Sequence, residues 1–189
     1  MSAAEGPAVT LVDVDEPILD SLVNAAITGA SANEVTAPVT TGDDWSPARI
    51  AWLKDFHRNR RDGLSGPAGE ATWAILVGDQ VVGSVRLKRT AVPGILETGI
   101  WLTRRIRGQG VGRLALAGVL RTAATVGAQG VRADTTTGNG AALGVLRRLG
   151  FDLAPSNDGA GVEALLMFGG RRRGLGSPRD DLLTPDRRG

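Results

Sequence analysis

Apolar and polar residues alternate along VTLVDV (9–14), the period of a strand with one buried face. From Pro17 the period changes. Ile18, Leu19, Leu22, Val23 and Ala26 recur at helical spacing and form one stripe. Residues 29–43, rich in Gly, Ala, Thr and Asn, read as a loop. Ser46–Pro47 then gives a helix start, Ser as N-cap and Pro in the first turn, for a helix over 46–62. Its apolar face holds Ile50, Leu53 and Phe56, and Gly63 stops it. A loop over 63–70 leads to two apolar runs, 72–77 and 81–87, that flank Gly78–Asp79–Gln80 and predict a β-hairpin. ILETGIWL (95–102) predicts a further strand, and residues 112–125 an amphipathic helix. VRADTTT (131–137) reads as a strand, and 139–149 as a helix stopped by Gly150. FDLA (151–154) and VEALLMF (162–168) predict a final antiparallel pair. The order β-α-α-β-β-β-α-β-α-β-β implies one mixed α/β (α+β) domain with a largely antiparallel central sheet flanked by helices.

Composition narrows the chemistry. The 189 residues are 42% apolar and 22% charged, enough for a sizeable core. With no cysteine, the chain has no disulfide, thiolate metal site or cysteine nucleophile. With His57 as the one histidine, a histidine-built metal site is not expected either. No run of about eighteen apolar residues occurs, so no membrane partner is expected. MSAAEGPAVT carries no basic-then-apolar pattern, so the expected location is cytoplasmic. Lys+Arg total 22 against 20 Asp+Glu, but residues 169–189 alone hold six arginines and three aspartates. Without them the balance is 16 against 17, or −1. The positive excess therefore lies outside the predicted domain, 1–168, in a Gly/Arg/Pro-rich segment expected to be a flexible tail. Nucleic acid is not an expected partner, since its binding domains carry basic charge on a folded face.

The strongest chemical signal is Arg107-Gly108-Gln109-Gly110-Val111-Gly112, between a predicted strand and a predicted helix. Glycines at alternate positions let backbone N–H groups approach a ligand, and the helix start adds unsatisfied amides and a positive dipole end. Arg107 and Arg113 would add charge to such a pyrophosphate cradle. An unliganded Gly-rich turn is the plainer alternative. The spacing is neither the dinucleotide G-x-G-x-x-G nor a P-loop.

Together with Asn139 heading a helix that closes at Gly150-Phe151, this motif makes residues 72–168 resemble the GNAT superfamily of N-acetyltransferases. The carriers are Arg107-x-x-Gly110-x-Gly112, the strand before it and the Asn-headed helix. The resemblance implies a GNAT-type sheet and an enzyme that uses acetyl-CoA. The pyrophosphate would lie on Gly108, Gln109, Gly110, Val111, Gly112 and Arg113. The pantetheine arm would lie along Ile100, Trp101, Leu102 and Thr103, with Asn139 beside it. The partner would be a small-molecule amine, and a homodimer is left open. Many members protonate the departing thiolate with a tyrosine seven residues after the helix-heading Asn. Here that position is Leu146, and the chain has no tyrosine.

Glu97 is the candidate base by position, or an ordinary strand carboxylate facing solvent. Asp134 is a candidate grip for a substrate ammonium, or likewise a surface carboxylate. His57 could touch the amine or be a surface or half-buried histidine. Trp45, Trp52 and Trp73 could wall a pocket or pack in the core. The segment 45–75 resembles aminoglycoside 2′-N-acetyltransferases that inactivate kasugamycin, which would make the enzyme one of antibiotic resistance. A polycationic sugar would call on Asp43, Asp44, Glu70, Glu97 and Asp134. The alternatives are an N-terminal acetyltransferase of ribosomal-protein type and a weakly active acyl-CoA-binding module.

Overall fold

The computed structural model describes residues 8–39, 41–156, 159 and 161–169. The tail predicted over 169–189 lies outside them apart from Gly169. Seven strands form one sheet: β1 (Val9–Asp13), β2 (Glu70–Val77), β3 (Gln80–Arg89), β4 (Ile95–Leu102), β5 (Gly130–Thr136), β6 (Asp152–Pro155) and β7 (Gly161–Met167). Their spatial order is β1-β2-β3-β4-β5-β7-β6. Every neighbouring pair is antiparallel except β4 and β5, which run parallel. The mixed, mostly antiparallel sheet flanked by helices is the architecture that the residue pattern predicts.

Five α-helices accompany the sheet among the described residues: α1 (Glu16–Gly29), α2 (Ala32–Val35), α3 (Pro47–Arg58), α4 (Val111–Thr125) and α5 (Gly140–Arg148). Local chemistry sets their starts. Asp15 caps α1 by accepting the Ile18 N–H at 2.9 Å, and the Ser46 side chain caps α3 by accepting the Arg49 N–H. α4 buries Val111, Ala115, Leu116, Val119, Leu120 and Ala123 against Val82, Val85, Leu87, Leu96 and Val131 of the sheet. On the other side, Leu19, Leu22, Val23 and Ala26 of α1 share a second core with Leu53 of α3 and Ala74 and Val81 of the sheet. Each fully buried leucine or valine there contributes roughly 1.5–3 kcal/mol over its exposed state.

Two features depart from the expected elements. The stretch 29–43 is not wholly a loop, because Ser31 and Glu34 close a reciprocal capping box around α2. α3 ends at Arg58, not at 62, as the next amides turn back onto nearer carbonyls (Arg60 N–H to His57 O, 3.1 Å). No helix among the described residues is long and apolar enough to cross a membrane.

Candidate active site

β4 and β5 pair only from Ile95–Glu97 to Gly130–Arg132 and then part. β4 continues along β3 as far as Leu102, and β5 continues along β7 as far as Thr136. Beyond Glu97, the edge of β4 that faces β5 therefore has unpaired backbone groups, which an extended ligand can use as a strand would. Ile100, inside a central strand, is 36% exposed for this reason.

The fork leads to the Gly-rich loop. Gly108 and Gly110 stand at φ 79° and 84°, in the left-handed region, and a Cβ on either would meet nothing within 4 Å. The first N–H groups of α4, on Val111, Gly112 and Arg113, have no partner inside the helix, since its bonding starts with Leu114 N–H to Gly110 O at 3.1 Å. Open space over two glycines and three free amides fit an anionic pyrophosphate. The two polar side chains of the loop do other work. Arg107 donates from Nε to the Leu102 carbonyl (3.0 Å) and from Nη1 and Nη2 to Glu34 (2.8 and 3.0 Å). That pairing is the main reason why the Glu34 carboxyl is held down to about 2. Gln109 donates to the Arg105 carbonyl at 2.7 Å. Both brace the loop, and Arg113 is left exposed beside the amides.

Asn139 caps α5, its Oδ1 accepting the Ala142 N–H at 3.1 Å. Its amide N–H groups make no hydrogen bond to a described residue and remain to meet a ligand. Leu146 is 4% exposed and belongs to the core against α4, and its apolar side chain has no proton to donate.

At the base of the fork sits Glu97, inside a chain of charges that crosses four strands. Arg60 donates to Glu70 at 2.5 Å, and Arg86 donates to Glu70 at 3.1 Å and to Glu97 at 2.8 Å. Arg132 donates to Glu97 from Nη2 at 2.6 Å and from Nε at 3.2 Å. Burial pushes the Glu97 carboxyl up, but the hydrogen bonds from Arg132 and Arg86 outweigh it and hold the group below the usual carboxylate range. Asp134 lies directly opposite Glu163 in the β5–β7 register, and both are exposed. These two carboxylates stand side by side next to Arg132, on the open part of the sheet.

The other candidates fall elsewhere. His57 is buried, not at the surface: its Nδ1 is 3.0 Å from the Thr72 hydroxyl, and Nε2 has no partner among the described residues. Burial first, then Arg60 and Arg61, lower its pKa to about 4, so it is neutral at pH 7. Asp43 accepts from the Asn33 side chain, while Asp44 is exposed in the same loop. Trp45 donates to the Ala30 carbonyl at 3.0 Å and packs on the core under α1. Trp52 stacks on Phe56, and Trp73 packs against the core under α4.

The sequence did not reveal Arg49, Arg86, Arg132, Glu34 or Glu163. Arg49 is fully buried and donates to Thr36 Oγ1 (2.8 Å), Asn33 Oδ1 (2.7 Å) and the Gly42 carbonyl (2.8 Å), pinning the loop that carries Asp43, Asp44 and Trp45. Its spacing of four from Leu53 and eight from His57, all three on the buried face of α3, was the available signal. The other four matter through partners in distant strands or helices, which no local pattern displays.

A family model described as an acetyltransferase (GNAT) domain matches residues 23–152 of the chain. No curated protein sequence matches it. Several solved structures share its fold. Mycobacterium smegmatis RimJ in complex with CoA-disulfide is 19% identical, over 85% of this chain and 82% of its own, with a TM-score of 0.66. The PaiA N-acetyltransferase of Thermoplasma acidophilum in complex with coenzyme A is 14% identical, over 85% and 99%, with a TM-score of 0.62. The microcin C7 self-immunity acetyltransferase MccE, in complex with acetyl-CoA and AMP, is 14% identical, over 84% and 92%, with a TM-score of 0.62.

Proposed function

The chain belongs to the GNAT acetyltransferase family and is an acetyl-CoA-dependent acetyltransferase; from that premise we propose that its acceptor is the amine of a small polycation, of the aminoglycoside class to which kasugamycin belongs. The observation that carries the acceptor reading is the Asp134–Glu163 pair at the mouth of the fork. Two adjacent exposed carboxylates suit an ammonium next to the one that reacts.

Bound acetyl-CoA supplies an activated thioester. The residues of this chain do the rest. The amides of Val111, Gly112 and Arg113 would hold the pyrophosphate, and the free edge of β4 from Ile100 to Leu102 would pair with the arm, Asn139 contributing its amide; Thr103 lies past the end of the strand, its N–H taken by the Val82 carbonyl at 2.8 Å. This places the reacting carbonyl by backbone contacts that a side-chain substitution does not remove. A backbone N–H near Trp101 or Leu102 serves as donor to the developing oxyanion. Glu97 receives the acceptor ammonium at the fork. The amine must lose a proton before it attacks, and water in the open mouth carries it away. Leu146 offers no proton at the position where many relatives carry the acid, so a serine, a threonine or water would have to supply the one that the leaving group takes.

A second reading, acetylation of a protein N-terminus, is favoured by the open face of β7, where Leu165 and Met167 are 41% and 48% exposed beside the carboxylates. Mass spectrometry of the enzyme with acetyl-CoA and a panel of kasugamycin, other aminoglycosides and N-terminal peptides separates the two. The polycation reading fails if peptides alone gain 42 Da, about the mass of one acetyl group replacing a proton at the attacked nitrogen.

A further inference from the structure

Thr72, Arg86 and Gly99 stand in one cross-strand row on β2, β3 and β4. Gly99 is not in the left-handed region, so its backbone would accept any residue. What excludes a side chain is space. A Cβ there would lie 2.8 Å from Arg86 Nε and 3.4 Å from Cζ and Nη2. The Arg86 guanidinium thus lies across β4 at the residue where the strand has just left β5.

Both ends of that guanidinium are occupied. Nη1 reaches Glu70, whose side chain is only 3% exposed, and Nη2 reaches Glu97 Oε1. Glu70 is in turn held by Arg60, whose guanidinium is fixed 3.7 Å over the Phe56 ring and by the Phe56 carbonyl. The chain of contacts runs from α3 to the fork without a gap. At its far end, Arg132 occupies Glu97 Oε2 with two donors. A carboxylate can accept about four hydrogen bonds. Three are in place on Glu97, two on Oε2 and one on Oε1, so the position left to a ligand is on Oε1, beside the nitrogen that Arg86 supplies.

We propose that Arg86 is a positioning residue for acetyl transfer: laid across Gly99 and anchored on Glu70, it holds Glu97 as an ionised, oriented acceptor for the substrate ammonium. The inference rests on the acetyl-transfer reading and does not depend on which amine is the substrate. The charged and titratable groups around Glu97 are Glu70 on β2, Arg86 and the cross-strand neighbour Lys88 on β3, Arg132 and Asp134 on β5, Glu163 on β7, His57 on α3 and Arg60 in the turn that follows it. Positive groups touch the carboxylate and negative ones stand behind them. Glu97 therefore stays charged across the working range, and the rise of rate with pH belongs to the acceptor amine itself.

The test combines kinetics with a titration that needs no turnover. In Arg86→Gln the KM for the acceptor should rise by about tenfold or more while the KM for acetyl-CoA stays within about twofold. An acidic limb should appear in the kcat/KM profile as Glu97 begins to titrate. Arg86→Lys should recover part of the loss, and Gly99→Ala, which keeps every charge but displaces the guanidinium, should reproduce it. In parallel, carbon-13 NMR of the Glu97 carboxyl should show its midpoint rising by about one unit or more in Arg86→Gln. An unmoved midpoint, or an acceptor KM that does not change, overturns the proposal. Equal losses for both substrates overturn it too, since they mark a general defect of the fold. If the wild-type enzyme acetylates no amine, the transfer reading falls by itself, and the NMR midpoint still decides whether Arg86 controls Glu97.

Discussion

Gly110 stands at φ 84° directly before α4, with free amides above it and open space where a Cβ would go. A β-branched side chain there meets two obstacles: a backbone cost of about 1–2 kcal/mol and a methyl group in the path of the ligand. Gly110→Val should therefore weaken acetyl-CoA by at least about tenfold in calorimetry while the circular dichroism spectrum is kept. His57 shows what a single residue can conceal. Its place on an amphipathic helix was legible, but its burial against Thr72 depends on where β2 falls. The folded protein binds the His57 proton less well than the unfolded chain, with a pKa of about 4 against 6.5. This contribution to stability is complete above pH 6.5 and is lost as pH falls toward 4, by on the order of 3 kcal/mol. Glu16 and Glu34, both held near 2 by arginine partners, lose theirs only below 4.5. The urea midpoint of the wild type should fall between pH 7 and 5, and that slope should flatten in His57→Gln. Glu97 was legible as a candidate from its place in ETGIWL, but not its two arginines, because cross-strand register cannot be read from one strand.

At the scale of elements, the apolar pattern placed the strands and long helices well, because burial on one face of α1, α4, β2 and β3 imposes the period that it reveals. What it missed is held by polar contacts. The segment Ala30–Ser46 has few apolar residues, and its order comes from the capping box of α2, the Trp45 bond to Ala30 and the three bonds of Arg49. In Arg49→Met, Thr36 would lose its donor in a buried site, while Asn33 and Gly42 are exposed and water can replace theirs. The expected cost is roughly 1–3 kcal/mol, seen as a lower thermal midpoint. The loop carries Asp43, Asp44 and Trp45 and also Glu34, the partner of Arg107, so losses in both acceptor KM and acetyl-CoA affinity should accompany it. A variant with an unchanged midpoint would show that the loop holds together without Arg49. Arg107 ties the same segment to the cofactor loop through Glu34; this pair is about 40% exposed, so its worth to stability is small, within about 1 kcal/mol.

For the whole molecule, residues 1–168 are proposed as the catalytic unit. A chain truncated after Phe168 should keep its kcat and both KM values within about twofold, and a folded truncation that loses transfer would refute this. The parting of β4 from β5 has a wider mechanical consequence. It divides the sheet into two leaves, β1-β2-β3-β4 and β5-β7-β6, stitched within the sheet by the residues Ile95–Glu97 and Gly130–Arg132 alone. The stitch is tight: a Cβ on Gly130 would come within 3.1 Å of Ile95 Cδ1 on β4. A ligand that pairs along β4 works as a removable seam between the leaves. Binding should then slow amide hydrogen exchange along residues 98–102 and 133–136 by the factor with which free ligand exceeds its dissociation constant wherever exchange requires the leaves to separate. Residues at the centre of either leaf, such as Ile75, should keep their rates. The enzyme between turnovers is then a sheet with an open seam, and its cofactor is, for the duration of each cycle, part of its tertiary structure.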